Sequence, residues 1–252
     1  MVQDFTPATT HMALSALRML RPRKLIGVNK VRLGRPFDGG YVMADLFQDI
    51  EAAYSLGIKD DVSWDLDVAT MGIPCFQYDP TIDALPQQHE LFNWKPYRID
   101  GHVDRANASE TLESLIIQNG HERAKNLLLK CDIEGSEWSL LKSTPSRILR
   151  QFRQMVFEFH NLHMLADPNH SNNVRNTFLN LTAHHHVVHV HANNYGGWEI
   201  IGGVPVPAVI ELTLVRKDVG QFELSDEVFP SELDMPNAPQ RSDLYLGHFV
   251  FE

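Results

Sequence analysis

Residues 127–141 have the sequence LLLKCDIEGSEWSLL, in which an apolar run is followed directly by acidic residues. The first part is typical of a buried strand, and the part from Gly135 onward is typical of a helix. Three carboxylates, Asp132, Glu134 and Glu137, crowd the junction. Because crowded carboxylates repel one another and lose hydration there, we expect Asp132 to serve a binding or catalytic site. For Glu134 and Glu137, attraction to the positive end of the helix dipole is an equally good explanation.

The same alternation of strand and helix recurs along the chain. The predicted strands are residues 52–58, 73–79, 97–101, 126–132, 154–160, 187–194 and 208–217. The predicted helices between them are residues 60–72, 109–120, 135–144 and 172–185. Alternating strands and helices form βαβ units, so the sequence predicts an α/β fold with a doubly wound, mainly parallel sheet and helices on both faces.

Two further segments flank this region. Residues 1–50 contain a helical pattern at His11–Leu20 and a turn at Asp38-Gly39-Gly40 between two apolar runs, which predicts a hairpin. We expect this extension to pack on or near the ligand site of the main domain, residues 51–217. The acidic, proline-containing residues 218–252 are predicted to form a C-terminal surface segment.

The composition argues against several classes of partner. The formal net charge of −10, with no run of lysine and arginine, argues against nucleic acid. No segment approaches the ~18 apolar residues of a membrane span, and the N-terminus has no secretory-signal pattern. We therefore expect a cytoplasmic protein with no membrane partner. Cys75 and Cys131 each lie in an apolar run and are predicted to be buried thiols. The sequence leaves open whether the protein forms a homo-oligomer.

Ligands of doubly wound sheets bind at the carboxyl ends of the strands. On the predicted strands, five residues lie at this edge: Gly57, Asp79, Asp100, Asp132 and His160. The sequence therefore predicts a ligand site along it.

The loop that follows the first predicted strand, SLGIKDDVSWD (residues 55–65), indicates the kind of ligand. A dinucleotide site needs the pattern G-x-G-x-x-G, whereas this loop has one glycine. Its Asp60 and Asp61 would repel a pyrophosphate but suit S-adenosylmethionine, which carries an ammonium and a sulfonium group and no phosphate. The alternative role of either aspartate is to cap the next helix. Asp79 follows Gly57 by 22 positions, where such folds place the acceptor for the ribose hydroxyls. We predict cofactor contacts at Ser55, Gly57, Asp61, Asp79 and Asp100.

LLLKCDIEGSEWSLL also resembles the strand-turn-helix signature of FkbM-type S-adenosylmethionine-dependent methyltransferases, with its Lys-x-Asp-x-Glu-Gly-x-Glu-Trp pattern. FDGGYVM, YSLGIKDDVSWD, QYDPTI and HVHANNYGG are similar to segments of a branch of that family, so the resemblance covers roughly residues 30–200. It implies a Rossmann-like class I methyltransferase fold with Gly57 and Asp79 in the cofactor site. Members of the family mostly methylate hydroxyl groups of sugars or natural products. The loop after the first strand departs from the family's glycine-rich pattern.

Methyl transfer to a hydroxyl group requires in-line geometry and removal of the hydroxyl proton. His160 ends a predicted strand and lies beside Asp132 if the two strands are neighbours. We predict that Asp132 and His160 act as base and orienting group, with His191 as a further catalytic candidate. The same three residues could instead hold a divalent metal ion that lowers the pKa of the hydroxyl group. The histidines at 184–186 are interpreted as a solvated helix end.

Together these patterns predict a cytoplasmic S-adenosylmethionine-dependent O-methyltransferase that acts on a hydroxyl group of a saccharide or a related small molecule. Two alternatives stay open. The first is a nicotinamide-dependent oxidoreductase, which the missing G-x-G-x-x-G disfavours. The second is a non-catalytic protein that binds a sugar or a metal on the same fold.

Overall fold

The structure, a computed structural model, describes residues 6–251. Its helices are α1 (Pro7–Met19), α2 (Ser63–Thr70), α3 (Leu112–Gln118), α4 (Glu137–Ser143), α5 (Ser146–Leu149) and α6 (Pro168–His184). Its strands are β1 (Arg23–Leu25), β2 (Lys30–Leu33), β3 (Tyr41–Ala44), β4 (Ala52–Leu56), β5 (Cys75–Tyr78), β6 (Phe92–Lys95), β7 (Arg98–Ile99), β8 (Ser109–Glu110), β9 (Leu127–Cys131), β10 (Phe152–Phe159), β11 (His185–Ala192), β12 (Trp198–Ile201), β13 (Val204–Pro207), β14 (Ile210–Arg216) and β15 (Phe222–Leu224).

Seven strands form the central sheet, in the order β11-β14-β10-β9-β4-β5-β6. Strands β6, β5, β4, β9 and β10 are parallel, whereas β14 runs antiparallel to both of its neighbours. From β4 the chain builds the sheet first toward β6 and then, from β9 onward, toward the opposite edge. The boundary between β4 and β9 is therefore the topological switch point, where such sheets bind ligands. This topology is that of a Rossmann-like class I methyltransferase fold, and the predicted fold class is confirmed.

Both faces of the sheet are covered, which explains the continuous apolar runs in its central strands. On one face, Tyr54 and Leu129 belong to a core that includes residues of α1, α3, α4 and α6. On the other face, Ala53 and Leu128 pack in a core with residues of α2 and of the hairpin β2–β3. Cys75 and Cys131 are buried free thiols, as predicted.

One predicted strand lies outside the central sheet. Residues 97–101 contribute only the short β7, which pairs with β8. The edge strand of the central sheet is instead β6, Phe92–Lys95, which pairs with β5. Strand β6 is only half-buried and so lacks the apolar run that identifies the central strands. Asp100 is therefore displaced from the carboxyl edge on which it was predicted.

The N-terminal extension forms a helix and a hairpin. Helix α1 begins earlier than predicted because the Thr6 side chain caps it and Pro7 occupies its first turn. Strands β2 and β3 pair antiparallel around the predicted turn. Gln154 on β10 bonds both backbone groups of Ala44, N at 2.6 Å and O at 3.1 Å, and so fixes the hairpin against the sheet. Residues 1–5 of the extension lie outside the described residues.

The C-terminal segment was predicted to lie on the surface, but part of it is buried in the structure. Strand β15 pairs with β1, and the chain then packs against His189 of β11, with Phe229 fully buried. Asp234 accepts a hydrogen bond from His189 at 2.8 Å, and the backbone N of Ala238 donates to Asn194 at 2.7 Å. These polar anchors are not visible in an acidic, proline-containing composition. Residue 252 lies outside the described residues. None of the helices described is long and apolar enough to cross a membrane.

Candidate functional site

A cavity of about 1090 Å³ opens at the carboxyl edge of the sheet, over the switch point between β4 and β9. Its walls come from the loops after β4, β5, β9 and β10, from the hairpin β2–β3 and from the loop after β11. Of the predicted cofactor residues, Gly57, Asp61 and Asp79 line this cavity. Ser55 and Asp100 are not among the described residues that line it.

Asp79 organises the cofactor side of the cavity. Its Oδ2 accepts hydrogen bonds from the backbone N of Ile58 and Lys59, at 2.8 and 2.7 Å. Its Oδ1 accepts from the backbone N and the Oγ1 of Thr81, at 2.7 and 2.6 Å. Burial raises the pKa of Asp79, but these hydrogen bonds outweigh it, so the pKa lies below its ordinary value. All four acceptor positions of the carboxylate are therefore used within the protein.

The neighbouring loop explains the glycine at position 57. Gly57 has a φ of +83°, and a Cβ there would lie 1.7 Å from the backbone O of Asp132. Lys130, buried on β9, donates to the backbone O of Gly57 at 2.7 Å. Asp61 accepts from the backbone N and the Oγ of Ser63, both at 2.9 Å, which supports its alternative role at the start of α2.

The remaining two cofactor candidates lie away from the cavity lining. Ser55 is fully buried within β4. Asp100 accepts hydrogen bonds from the backbone N of Gly101, at 2.6 Å, and from the Oγ of Ser139. The positions of these two residues therefore give no support to the predicted cofactor contacts. The sequence alone does not reveal which side of a strand or loop faces the cavity.

His160 lies among four carboxylates where β9 and β10 end at the cavity. Strands β9 and β10 are neighbours, as predicted, and bring the Nε2 atom of His160 to 3.9 Å from Asp132 Oδ1. The same nitrogen lies 3.3 Å from Glu158 Oε1 and 3.5 Å from Glu134 Oε2. Its Nδ1 atom lies 3.3 Å from Glu137 Oε1. The imidazole therefore links the ends of two parallel strands.

The charges in this group shift one another's pKa values. Burial lowers the pKa of His160, but hydrogen bonds to Glu137 and Glu158 outweigh it and raise the pKa to about 11. Burial, together with the charge of Asp132, raises the pKa of Glu158 to about 8. Burial likewise raises the pKa of Asp132, against the charge of Lys130. With His160 protonated at neutral pH, a carboxylate is the better proton acceptor in the ligand-free protein.

Glu137 is not a solvated charge at a helix end. It is fully buried, and its Oε1 accepts from the backbone N of Ile133 at 2.9 Å and of Gly135 at 3.2 Å. The loop between these residues carries Glu134 at a φ of +55° and Gly135 at +102°. Glu137 thus holds both this left-handed turn and the imidazole of His160.

His191 does not join Asp132 and His160. Its Nδ1 lies 3.1 Å from Glu211 Oε2, and its Nε2 lies 3.0 Å from Asp243 Oδ2, which together raise its pKa to about 11 although burial opposes this. Strand β14 separates β11 from β10, so the two histidines are two strands apart. The potential metal-ligand group that forms among the described residues consists of Asp132, Glu158 and His160. Glu158 therefore takes the place predicted for His191.

Tyr41 and Lys130 also belong to the site, although the patterns above do not predict them. The hydroxyl group of Tyr41, from the N-terminal hairpin, donates to Asp132 Oδ2 at 3.1 Å. The ammonium group of Lys130 lies 5.8 Å from the ring centre of Tyr41. A lone lysine inside an apolar strand was a usable signal, because a buried charge needs a partner. Tyr41 gave no such signal, since hydrophobic strands commonly contain tyrosine.

No protein-family model and no curated protein matches the sequence. Among solved structures, the chain is similar to that of a mutant 16S rRNA (adenine(1408)-N(1))-methyltransferase from Catenulisporales acidiphilia, at 10% sequence identity. The similarity covers 67% of this chain and 86% of that chain, with a TM-score of 0.32. The assignment to the class I methyltransferase fold rests on the order and directions of the seven strands.

Proposed function

We propose that this chain is an S-adenosylmethionine-dependent O-methyltransferase that acts on a hydroxyl group of a saccharide or a related small molecule. One observation carries the proposal: a cavity at the switch point is lined by Gly57 and Asp79, which follow β4 and β5, and by Asp132, Glu158 and His160, at the ends of β9 and β10. Gly57 and Asp79 suit a nucleoside. The carboxylate side of the cavity can take a proton from the hydroxyl group that accepts the methyl group. The choice of a saccharide hydroxyl rests on the resemblance to FkbM-type methyltransferases.

The residues around Asp79 fit an adenosyl group better than a dinucleotide. Asp60 and Asp61, in the loop after β4, place negative charge where a pyrophosphate would lie, and this charge suits the ammonium and sulfonium groups of S-adenosylmethionine. Tyr97, Ile99 and Ile133 supply an apolar wall on which an adenine ring can pack. Asp79 would bind the ribose hydroxyls by exchanging one of its internal hydrogen bonds. When bound, S-adenosylmethionine supplies an electrophilic methyl group.

The acidic side of the cavity supplies the proton acceptor. Asp132 is the proposed base, because burial raises its pKa and so favours proton uptake. Glu158 has a pKa of about 8 and is therefore largely protonated at neutral pH. The imidazolium of His160 holds the two carboxylates in place. Lys130 compensates part of the negative charge beneath them. The acceptor hydroxyl would then lie between these carboxylates and the cofactor side of the cavity.

Transfer of an isotopically labelled methyl group tests this proposal. The protein is incubated with labelled S-adenosylmethionine, a panel of mono- and oligosaccharides and a mixture of divalent cations. Asp132→Asn and His160→Ala should each lower kcat by roughly 10²–10⁴-fold, and the double variant should lose little more, because residues that act as one unit are not additive. Glu223→Gln, an exposed carboxylate on β15, is the matched control and should retain full activity.

Two results would contradict the proposal. Binding of the cofactor without methyl transfer to any acceptor would favour the non-catalytic alternative. Methyl transfer that survives both Asp132→Asn and His160→Ala would place the chemistry elsewhere in the cavity.

A further inference from the structure

Asp132, Glu158 and His160 have the spacing of ligands around one metal ion. One potential ligand atom from each lies within 4.8 Å of the other two. Two ligands of a single Zn²⁺ ion, each ~2.1 Å from it, lie at most ~4.2 Å apart. His160 Nε2 already meets this limit, at 3.3 Å from Glu158 Oε1 and 3.9 Å from Asp132 Oδ1. Little movement is therefore needed to bring the three atoms onto one ion.

Each of the three side chains is oriented by a partner outside the group. The Nδ1 atom of His160 meets the buried Glu137, whose carboxylate is itself held by two backbone N–H groups. Tyr41 donates to Asp132, and Asn193 donates to Glu158 at 3.0 Å. Metal ligands characteristically have such outer partners, and a carboxylate on the far nitrogen of a histidine is one recurrent form.

The open ligand positions face the cavity. Glu158 is only 6% exposed yet lines the cavity, and no described residue donates a hydrogen bond to its Oε2. With Nδ1 of His160 donating to Glu137, the Nε2 atom faces two carboxylates. In the ligand-free protein a proton on Nε2 occupies this direction, and a metal ion would displace that proton on binding. A metal ion would satisfy Nε2 and both carboxylates at once.

We propose that Asp132, Glu158 and His160 bind a divalent transition-metal cation, of the kind represented by Mn²⁺ and Zn²⁺. One imidazole with two carboxylates favours these borderline ions over Mg²⁺ and Ca²⁺, which prefer oxygen ligands alone. The cavity gives such an ion room for water or a substrate oxygen. Its role in activity rests on the proposed function: a hydroxyl group bound to the ion loses its proton more readily, and that proton passes to solvent. The site itself does not depend on that function.

Calorimetric titration with Mn²⁺ and, separately, Zn²⁺ tests the site in chelator-treated, full-length protein. We expect one ion per chain. Glu158→Gln and His160→Gln should each weaken binding by at least about tenfold, since even an outer partner is worth ~10–100-fold. Tyr41→Phe should weaken it by about tenfold. Glu223→Gln, a remote exposed carboxylate, should bind the ions as the wild type does.

The outcomes separate this inference from the proposed function. If neither ion binds the wild type, or if Glu158→Gln and His160→Gln bind as the wild type does, the site is wrong regardless of how the variants fold. Methyl transfer that continues after complete removal of metal would overturn the role of the metal in activity and leave the methyltransferase standing. Metal binding with no methyl transfer would confirm the site and remove the proposed function.

Discussion

At the scale of single residues, Asp79 shows how one carboxylate can serve both the fold and a ligand. Its two oxygens hold the loop after β4 and the turn at Thr81 through four hydrogen bonds. Ribose hydroxyls must therefore replace one of these bonds. The Oγ1 of Thr81 is the partner most easily replaced, because a side-chain hydroxyl can rotate away while a backbone N–H cannot.

This competition predicts opposite effects for two neighbouring substitutions. Asp79→Asn should weaken binding of S-adenosylhomocysteine by about 1–3 kcal/mol, because a hydrogen bond to a charged group is lost. Thr81→Val frees one acceptor position and should leave the affinity unchanged or raise it. Both are measured by calorimetry, with the melting temperature as a check on folding.

A cofactor analogue without the ribose hydroxyls serves as the control for loop disruption. If Asp79 binds the diol, the analogue binds the wild type more weakly than S-adenosylhomocysteine does, whereas Asp79→Asn no longer distinguishes the two ligands. Equal discrimination by the wild type and Asp79→Asn would make Asp79 a loop anchor only.

The residue scale also shows what the sequence could and could not predict about the site. The juxtaposition of Asp132 and His160 was predictable, because both end strands whose apolar runs were clear. His191 was placed wrongly because the insertion of β14 between β10 and β11 cannot be recognised from strand order along the chain. The buried role of Glu137 depends on the left-handed turn before α4, and an acidic residue at a helix start does not reveal such a turn.

At the scale of elements, the junction between α6 and β11 corrects the interpretation of the three consecutive histidines. Helix α6 ends at His184, and β11 begins at His185 without an intervening loop. His185 is consequently fully buried, with its Nε2 at 2.9 Å from the backbone O of Phe152. Burial lowers the pKa of His185 to about 4. A solvated helix end was predicted because the abrupt helix-to-strand change has no glycine or proline to mark it.

This burial predicts a measurable pH dependence of stability. The pKa of His185 in the folded protein, about 4, is below its ordinary value of 6.5, so the unfolded chain binds the proton more tightly. The stabilisation is fully present above the ordinary pKa and is lost as the pH falls toward the folded-state value. Between about pH 7 and about pH 4.5, the free energy of unfolding should fall by about 2 kcal/mol more in the wild type than in His185→Gln.

Urea unfolding at the two pH values measures this difference, and His185→Gln keeps a hydrogen-bond donor while removing the titration. Other acidic groups titrate equally in both proteins and cancel. An identical pH dependence of the two proteins would show that His185 is not buried in its neutral form.

Among the other elements, the sequence predicted the fully buried strands better than the partly exposed ones. Strands β4 and β9 were clear because every residue in each is buried. Strand β6 and the hairpin β12–β13 were missed, because half-exposed strands mix polar and apolar residues. Helix starts differed from the predicted positions by a few residues where side-chain caps, such as Thr111 of α3, set the first turn.

At the scale of the whole molecule, the N-terminal hairpin and the C-terminal segment meet at β11, an edge strand of the central sheet. Lys30 of the hairpin lies 2.5 Å from Glu227 of the C-terminal segment and 3.3 Å from His189 on β11. Asp243 of the same segment bonds His191. These connections could not be predicted from the sequence, because they link residues that are 52 to 197 positions apart. The central α/β fold was predictable, since it depends on local periodicity.

The charge of the whole molecule fits the ligand proposed for its cavity. The net charge of −10 and the acidic cavity favour a cationic cofactor and disfavour one with several phosphates. This agrees with the missing dinucleotide glycine pattern, an independent feature of the sequence. We therefore infer that the cavity over β4 and β9 binds an adenosyl cofactor.

The most direct test is a calorimetric titration of the wild-type protein with S-adenosylmethionine and S-adenosylhomocysteine, with NAD⁺ and NADP⁺ as matched adenosine-containing controls. We expect both adenosyl ligands to bind with one site per chain, and neither nicotinamide cofactor to bind. Binding of NAD⁺ or NADP⁺, with no heat from either adenosyl ligand, would contradict the account and favour an oxidoreductase.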